Sequence, residues 1–236
     1  MKIKNNNLSL ISSFIILFLF SIIFNQYYGY IGILPIDSFL IFNSGYDLMN
    51  GYYPFKDYWT IKEPFIDLLQ AIFFKIFGVS WFSYVLYASI FNCIITICTF
   101  FLFQKLNLNY KLSFFYSICV AILTYPTAGT PFSDHHTLIL CLVSLYAFIL
   151  ALNDKKNIYW FFVPILLGLS FLSKQAPTIY VILIITFISI IFFIKTKNLS
   201  NFIYALSGII TFLTLFFILL YSAGINYNDF YIQYFS

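Results

Sequence analysis

The residues of this chain that could do chemistry sit mostly in one segment, 34-LPIDSFLIFNSGYDLMNGYYPFKDYWTIKEP-64. It holds Asp37, Asp47, Lys56, Asp57, Lys62 and Glu63, six of the twenty charged residues in 236. The flanking sequence is apolar enough to lie in lipid. Charge beside lipid is expensive, so such a cluster is a functional-site hypothesis by default. A second constellation is 130-TPFSDHHT-137, with Asp134 beside His135 and His136, the only two histidines in the chain. An acid with a neighbouring imidazole can polarise a hydroxyl or bind a metal. Adjacent helical positions point about 100° apart, so the two histidines do not readily share one ion. A divalent metal stays open as a cofactor, with no ligand set assigned. Ser133 or Asp134 could instead cap the following helix, where an acid also complements the helix dipole. A third candidate is Lys174, with Gln175, in the short turn 173-SKQAP-177.

The elements that must hold these residues are membrane helices. The chain is 62% hydrophobic and 8% charged, with a mean hydropathy of +0.92. A soluble domain is nearer half apolar and a quarter charged. The sequence therefore predicts an all-α, polytopic transmembrane bundle forming one domain over 1–236. A crossing helix needs roughly 20 apolar residues. Seven segments meet or approach that: about 8–26, 80–103, 112–126, 136–152, 158–173, 177–194 and 201–222. Tyrosines and tryptophans mark their ends, as in an interfacial belt. The N-terminal run lacks a small-residue cleavage site and reads as a retained first helix. Cys93, Cys98, Cys119 and Cys141 all fall in apolar spans without metal-ligand spacing, so neither zinc nor a disulfide is expected.

All twelve basic residues are lysines, and eight lie in one alternating set of termini and loops: Lys2, Lys4, Lys105, Lys111, Lys155, Lys156, Lys195 and Lys197. By the positive-inside rule that set, with the N-terminus, is cytoplasmic. The net charge of +4 thus reflects orientation and gives no nucleic-acid signal. Seven of the eight acids then fall on the outer side, with Asp154 alone inside. Any chemistry is expected to face out.

The outer loop 27–79 is too long to be a plain connection. Residues 37–50 can gather Phe39, Leu40, Phe42, Tyr46, Leu48 and Met49 on one side of a helix. Pro64 to Phe77 forms a second apolar segment, only ~21 Å long at 1.5 Å per residue. Both read as amphipathic helices at the interface, with Asp47 and Asp67 on their polar faces. Gly51 and Gly78 end them. The tail 223–236 is aromatic and has no natural stop, which fits a fragment or a shortened member of a larger family.

The ordered pattern D37-x9-D47…G51-x2-P54-x2-D57-Y58-W59-x2-K62-E63-P64…F77-G78-V79-S80 resembles the membrane glycosyltransferases of the GT-C fold. The likeness is to the branch holding protein O-mannosyltransferases and aminoarabinose transferases, over roughly residues 8–175. It departs from that branch in three places. Ser38 stands where a second acid is usual beside Asp37. The K-P-P position reads Lys62-Glu63-Pro64. An Arg common after the "FG" turn is absent, with Tyr84 in that neighbourhood.

The resemblance implies transfer of a hexose or pentose from a polyprenyl-phosphate-linked sugar, in the cell membrane, to a glycan, lipid or protein acceptor at the outer face. It implies Asp37 as the base, with Asp134 adding a second acid. Asp57 would hold a sugar hydroxyl, and His135 would join it in binding substrate. Lys62 and Lys174 would face the lipid phosphate. Each has a plainer alternative: a helix cap or solvated acid for Asp37, a turn residue for Asp57, a lysine at the headgroups for Lys62, a loop lysine for Lys174. For the whole chain the alternatives are a non-catalytic membrane partner and a transporter or flippase component. The second is disfavoured because the acids lie in loops and no internal repeat is visible.

Overall fold

The computed structural model describes residues 3–32, 35–58, 64–125, 129–154 and 156–235. Side chains are described from Leu10 onward, and those of Pro35 and Asp37 lie outside the described set. Ten helices occupy these residues: α1 Ile3–Ile31, α2 Pro35–Met49, α3 Pro64–Phe77, α4 Trp81–Lys105, α5 Tyr110–Leu123, α6 Ser133–Asn153, α7 Ile158–Ser173, α8 Gln175–Thr196, α9 Leu199–Ala223 and α10 Tyr227–Phe235. The protein is an all-α bundle. Five helices carry stretches long and apolar enough to cross a membrane: α1 (from Leu10), α4, α6, α8 and α9. α5 and α7 are apolar but shorter.

The helices associate through small and polar residues, because lipid tails are as apolar as any leucine and give no reason to hide one. On α1 the buried positions are Ser13, Leu17, Ser21, Asn25 and Gly29, one every four residues. The intervening Ile15, Ile16, Phe18, Leu19 and Ile23 are exposed to the bundle's surroundings. That stripe lies on α4. A Cβ on Gly29 would sit 2.3 Å from Val85 Cγ1, and Asn25 Nδ2 donates to Ser89 Oγ at 3.2 Å. α5 repeats the device, burying Ser113, Ser117 and Ala121, with Asn92 Nδ2 donating to the Ala121 carbonyl at 2.8 Å. Such close-packed faces explain how 14- and 16-residue helices take their places in the bundle. α7 touches α9 in the same way, since Gly208 brings its backbone against the Phe161 carbonyl.

α2 and α3 are 15 and 14 residues long, too short to cross a bilayer. They pack on each other. Gly45 admits the Gln70 side chain, whose Cγ would be 2.5 Å from an added Cβ, and the Phe42 and Phe74 rings are 4.8 Å apart. The bundle's main core joins them to α4 and α6 through Ile41, Ile66, Tyr84, Tyr87 and Ile139.

The connections sort into two ends. At one, Ser13 bonds Tyr110, Lys105 lies 3.9 Å from Asp154, and Asn157 bonds Ser200 at 2.6 Å. At the other, the loop between α5 and α6 meets α1, the α7–α8 turn meets α6, and α10 folds onto residues 52–58. Asp47, Asp57, Asp67, Asp134 and Asp229 all belong to this second end.

Candidate functional site

The start of α2 carries Asp37, and what surrounds that helical turn is well defined. The neighbouring Ser38 is buried. Its Oγ is 3.1 Å from Thr130 Oγ1, and its carbonyl accepts from the Tyr84 hydroxyl at 2.7 Å. The loop that supplies Thr130 is seated on α1. Gly129 takes φ +62°, and its carbonyl accepts from Asn25 Nδ2 at 2.9 Å. A Cβ there would fall 2.4 Å from Gly29 N. Trp81 closes the same corner, with Nε1 donating to the Gly29 carbonyl at 2.9 Å. The structure therefore brings Thr130, the first residue of the second constellation, against the helical turn of Asp37. Ser38, where the resembling enzymes carry an acid, is the joint between the two loops.

Asp134 and Lys174 meet directly, Nζ to Oδ1 at 2.6 Å. Their side chains are 47% and 35% exposed, so the pair is open to water. Asp134 lies in the first turn of α6, whose N-cap position, Phe132, supplies no side-chain cap. Neither Ser133 nor Asp134 caps the helix by a side-chain hydrogen bond, while Asp134 in its first turn complements the helix dipole. Lys174 ends α7 and precedes α8. His135 is half-buried, its ring 4.9 Å from Tyr125 and 5.6 Å from Phe132. His136 points the other way and is fully buried. The two imidazoles diverge, and no group of three or more His, Cys, Asp or Glu able to hold a metal occurs among the described residues.

Asp57 occupies a tight turn, accepting from Tyr53 N at 2.8 Å. It is exposed, with Oδ2 committed to the turn. The turn is pinned by Phe55, buried with φ +68° and held in edge contact with Phe230 at 5.1 Å. Gln233 donates to the Phe55 carbonyl at 3.2 Å, and Lys56 reaches the Ala223 carbonyl at 3.4 Å. α10 in turn bonds Gln175, the residue after Lys174. Asp57 and Lys174 are thus joined through α10, an element that pattern alone did not connect to the site. Lys62 and Glu63 lie outside the described residues.

Asp67 departs from expectation. It was expected on the polar face of an interface helix, yet it is fully buried. The exposed positions of α3 are Ile72, Lys75, Ile76 and Phe77, so the helix turns its acid inward and much of its apolar surface outward. Burial, together with the charges of Asp67, Asp47 and Asp57, holds the Tyr58 hydroxyl well above the usual phenol range. Three carboxylates therefore act on one half-buried phenol at this end of the protein. The sequence signal for Asp67 was an acid inside an otherwise apolar 14-residue helix.

The family model described as dolichyl-phosphate-mannose-protein mannosyltransferase matches residues 62–221. No curated protein and no solved structure matches the chain.

Proposed function

The chain belongs to the dolichyl-phosphate-mannose-protein mannosyltransferase family, and from that premise we propose that it moves a mannosyl-type sugar from a polyprenyl-phosphate donor to an acceptor hydroxyl at the outer face of the membrane. The observation that carries this reading is the docking of the α5–α6 loop on the first turn of α2, through Thr130 and Ser38. It supports a single site in which the acids of two separate loops work on one substrate.

In this reading Asp37 takes the proton of the acceptor hydroxyl as its oxygen attacks the anomeric carbon. The bond from that carbon to the phosphate oxygen breaks, and the polyprenyl phosphate leaves with the electron pair. General-base assistance of this kind contributes about 10²–10⁴ in rate. A cation held where the phosphate charge develops adds to it. Lys174 is suited to that work because Asp134 fixes its ammonium while both stay exposed. Lys62 is the second cation proposed for the phosphate. Asp57 and His135 border the substrate, Asp57 through the oxygen that the turn leaves over and His135 through its exposed edge. The lysines gathered at the opposite end support a cytoplasmic position for that end and an outward-facing site.

The test is Asp37→Asn in the full chain, reconstituted with dolichyl phosphate mannose and a mixed peptide and glycan acceptor set. Transfer should fall by at least 10²-fold while the donor still binds. Undiminished transfer would remove Asp37 as the base.

A further inference from the structure

Between Lys197 and Asp229 the chain carries no charged residue. Most of that stretch is α9, which meets α7 where Gly208 approaches the Phe161 carbonyl and Phe212 fills the space at Gly168. Elsewhere α9 turns outward. Ile203, Leu206, Ile210, Leu213 and Phe217 are all exposed. They recur every three or four residues and so form one stripe along the helix. On a helix that crosses a membrane, an exposed stripe without charge faces lipid.

The stripe continues past the end of α9. Gly224, at φ +65°, turns the chain toward α10. The Tyr227 ring lies 6.3 Å from Phe217, Tyr231 stacks on Tyr227 at 6.4 Å, and Phe235 lies 5.4 Å from Tyr231. These three aromatics and Ile232 are each more than half exposed. Another side of α10 is packed, with Phe230 and Tyr234 buried against Phe55, Phe171 and Phe216. Asp229 lies about 160° round the helix from both Tyr227 and Tyr231, at 3.6 residues per turn. α10 thus has a packed side, an aromatic side that prolongs the lipid-facing stripe of α9, and a polar flank turned away from it.

Length sets the level at which α10 lies. α9 has 25 residues, which is ~37 Å at 1.5 Å each, against about 30 Å of hydrocarbon. A centred span of that length ends ~4 Å beyond the hydrocarbon, among the headgroups. Tyrosine, with an apolar ring and a polar hydroxyl, is enriched in that layer. A helix with one apolar side and one polar side lies flat in it.

We propose that α10 is a lipid anchor, its Tyr227, Tyr231 and Phe235 side seated at the headgroup–acyl boundary of a phospholipid bilayer and Asp229 left in water. The packed side of the same helix holds the candidate site: Gln233 donates to the Phe55 carbonyl beside Asp57, and Gln175, next to Lys174, donates to the Tyr234 carbonyl. Lipid that fastens α10 therefore fastens the Asp57 turn and Lys174 at the membrane surface. This inference goes beyond the transferase reading and stands without it.

The experiment places the photoreactive residue p-benzoylphenylalanine at position 231, 235 or 229 of the full chain in phosphatidylcholine vesicles. Adducts are read by mass spectrometry after irradiation. Positions 231 and 235 should give phospholipid adducts at least tenfold above position 229. No excess over position 229, or adducts at 231 and 235 mainly to a second copy of the chain, overturns the proposal. Hydrogen exchange in the same vesicles then tests whether the lipid contact holds the helix. Tyr231→Glu, which leaves Phe230 and Tyr234 in place, should speed amide exchange over 230–235 at least tenfold without changing α7, and Asp229→Asn should not. Unchanged exchange over 230–235 in Tyr231→Glu overturns the anchor. If α7 also exchanges faster, the bundle has loosened, and Tyr231→Ser is read by the same criterion.

Discussion

Replacing Gly129 by alanine tests whether the α5–α6 loop is truly seated on α1. Its φ of +62° costs an L-residue about 1–2 kcal/mol. The new Cβ would also meet Gly29 N at 2.4 Å, Asn25 O at 2.7 Å and Gly29 Cα at 2.8 Å. All three are backbone atoms of a spanning helix, so the loop must retreat. Retreat breaks the bond from Asn25 to the Gly129 carbonyl and strains the one between Thr130 and Ser38. Each is worth about 1 kcal/mol. The total is about 3–4 kcal/mol. Gly51→Ala is the control, because its φ is +90° and nothing lies within 4 Å of the added Cβ. That variant carries the backbone cost alone. Denaturant unfolding in mixed micelles should therefore separate the two by about 2 kcal/mol. At a temperature where both are folded, Gly129→Ala should lose most of its transfer activity and Gly51→Ala should not. Equal losses of stability in the two variants would refute the seating of the loop, and with it the joining of Thr130 to the turn of Asp37.

Other expectations follow from the same geometry. Lys174→Met should change unfolding stability by no more than about 1 kcal/mol, because the ion pair with Asp134 is exposed, yet transfer assays should show a loss of tenfold or more. Phe55→Ala should cost about 3–5 kcal/mol from the lost contacts with Phe230 and Tyr234. Phe55→Gly should be the more stable of those two by about 1 kcal/mol, as glycine relieves the positive φ, an inversion of the usual order that unfolding curves would show. Ser38→Asp, which restores the acid of the resembling enzymes, should lower stability by several kcal/mol, since it buries a carboxylate against Thr130; Ser38→Ala, read in the same unfolding assay, should cost only about 1 kcal/mol.

The helical architecture was legible because hydropathy over twenty residues is a local property. The lysines and acids sorted the loops into the two groups that the fold then gathers at its two ends. The short helices α5 and α7 were legible as apolar segments, but not as packed ones, since their serines, alanine and glycine matter only against a neighbour. The candidate acids were visible from their place in an apolar chain. Their surroundings were not. The alternation of α3 suggested a polar face for Asp67, yet the helix buries that face. Nothing in the pattern joined Asp57 to the last nine-residue helix, or Asp134 to Lys174.

By itself the sequence determined that this chain is a membrane helix bundle, and the order of Asp37, Gly51, Pro54, Asp57 and Lys62 carried its likeness to a glycosyltransferase family. These follow from composition and from short-range spacing, which the chain carries whatever its fold. Only the tertiary structure decided that Ser38 is a joint between loops, that Asp134 holds Lys174, and that His136 turns inward. Each depends on which helix lies beside which, and that is set by the small-residue faces of α1, α4 and α5 packing in three dimensions.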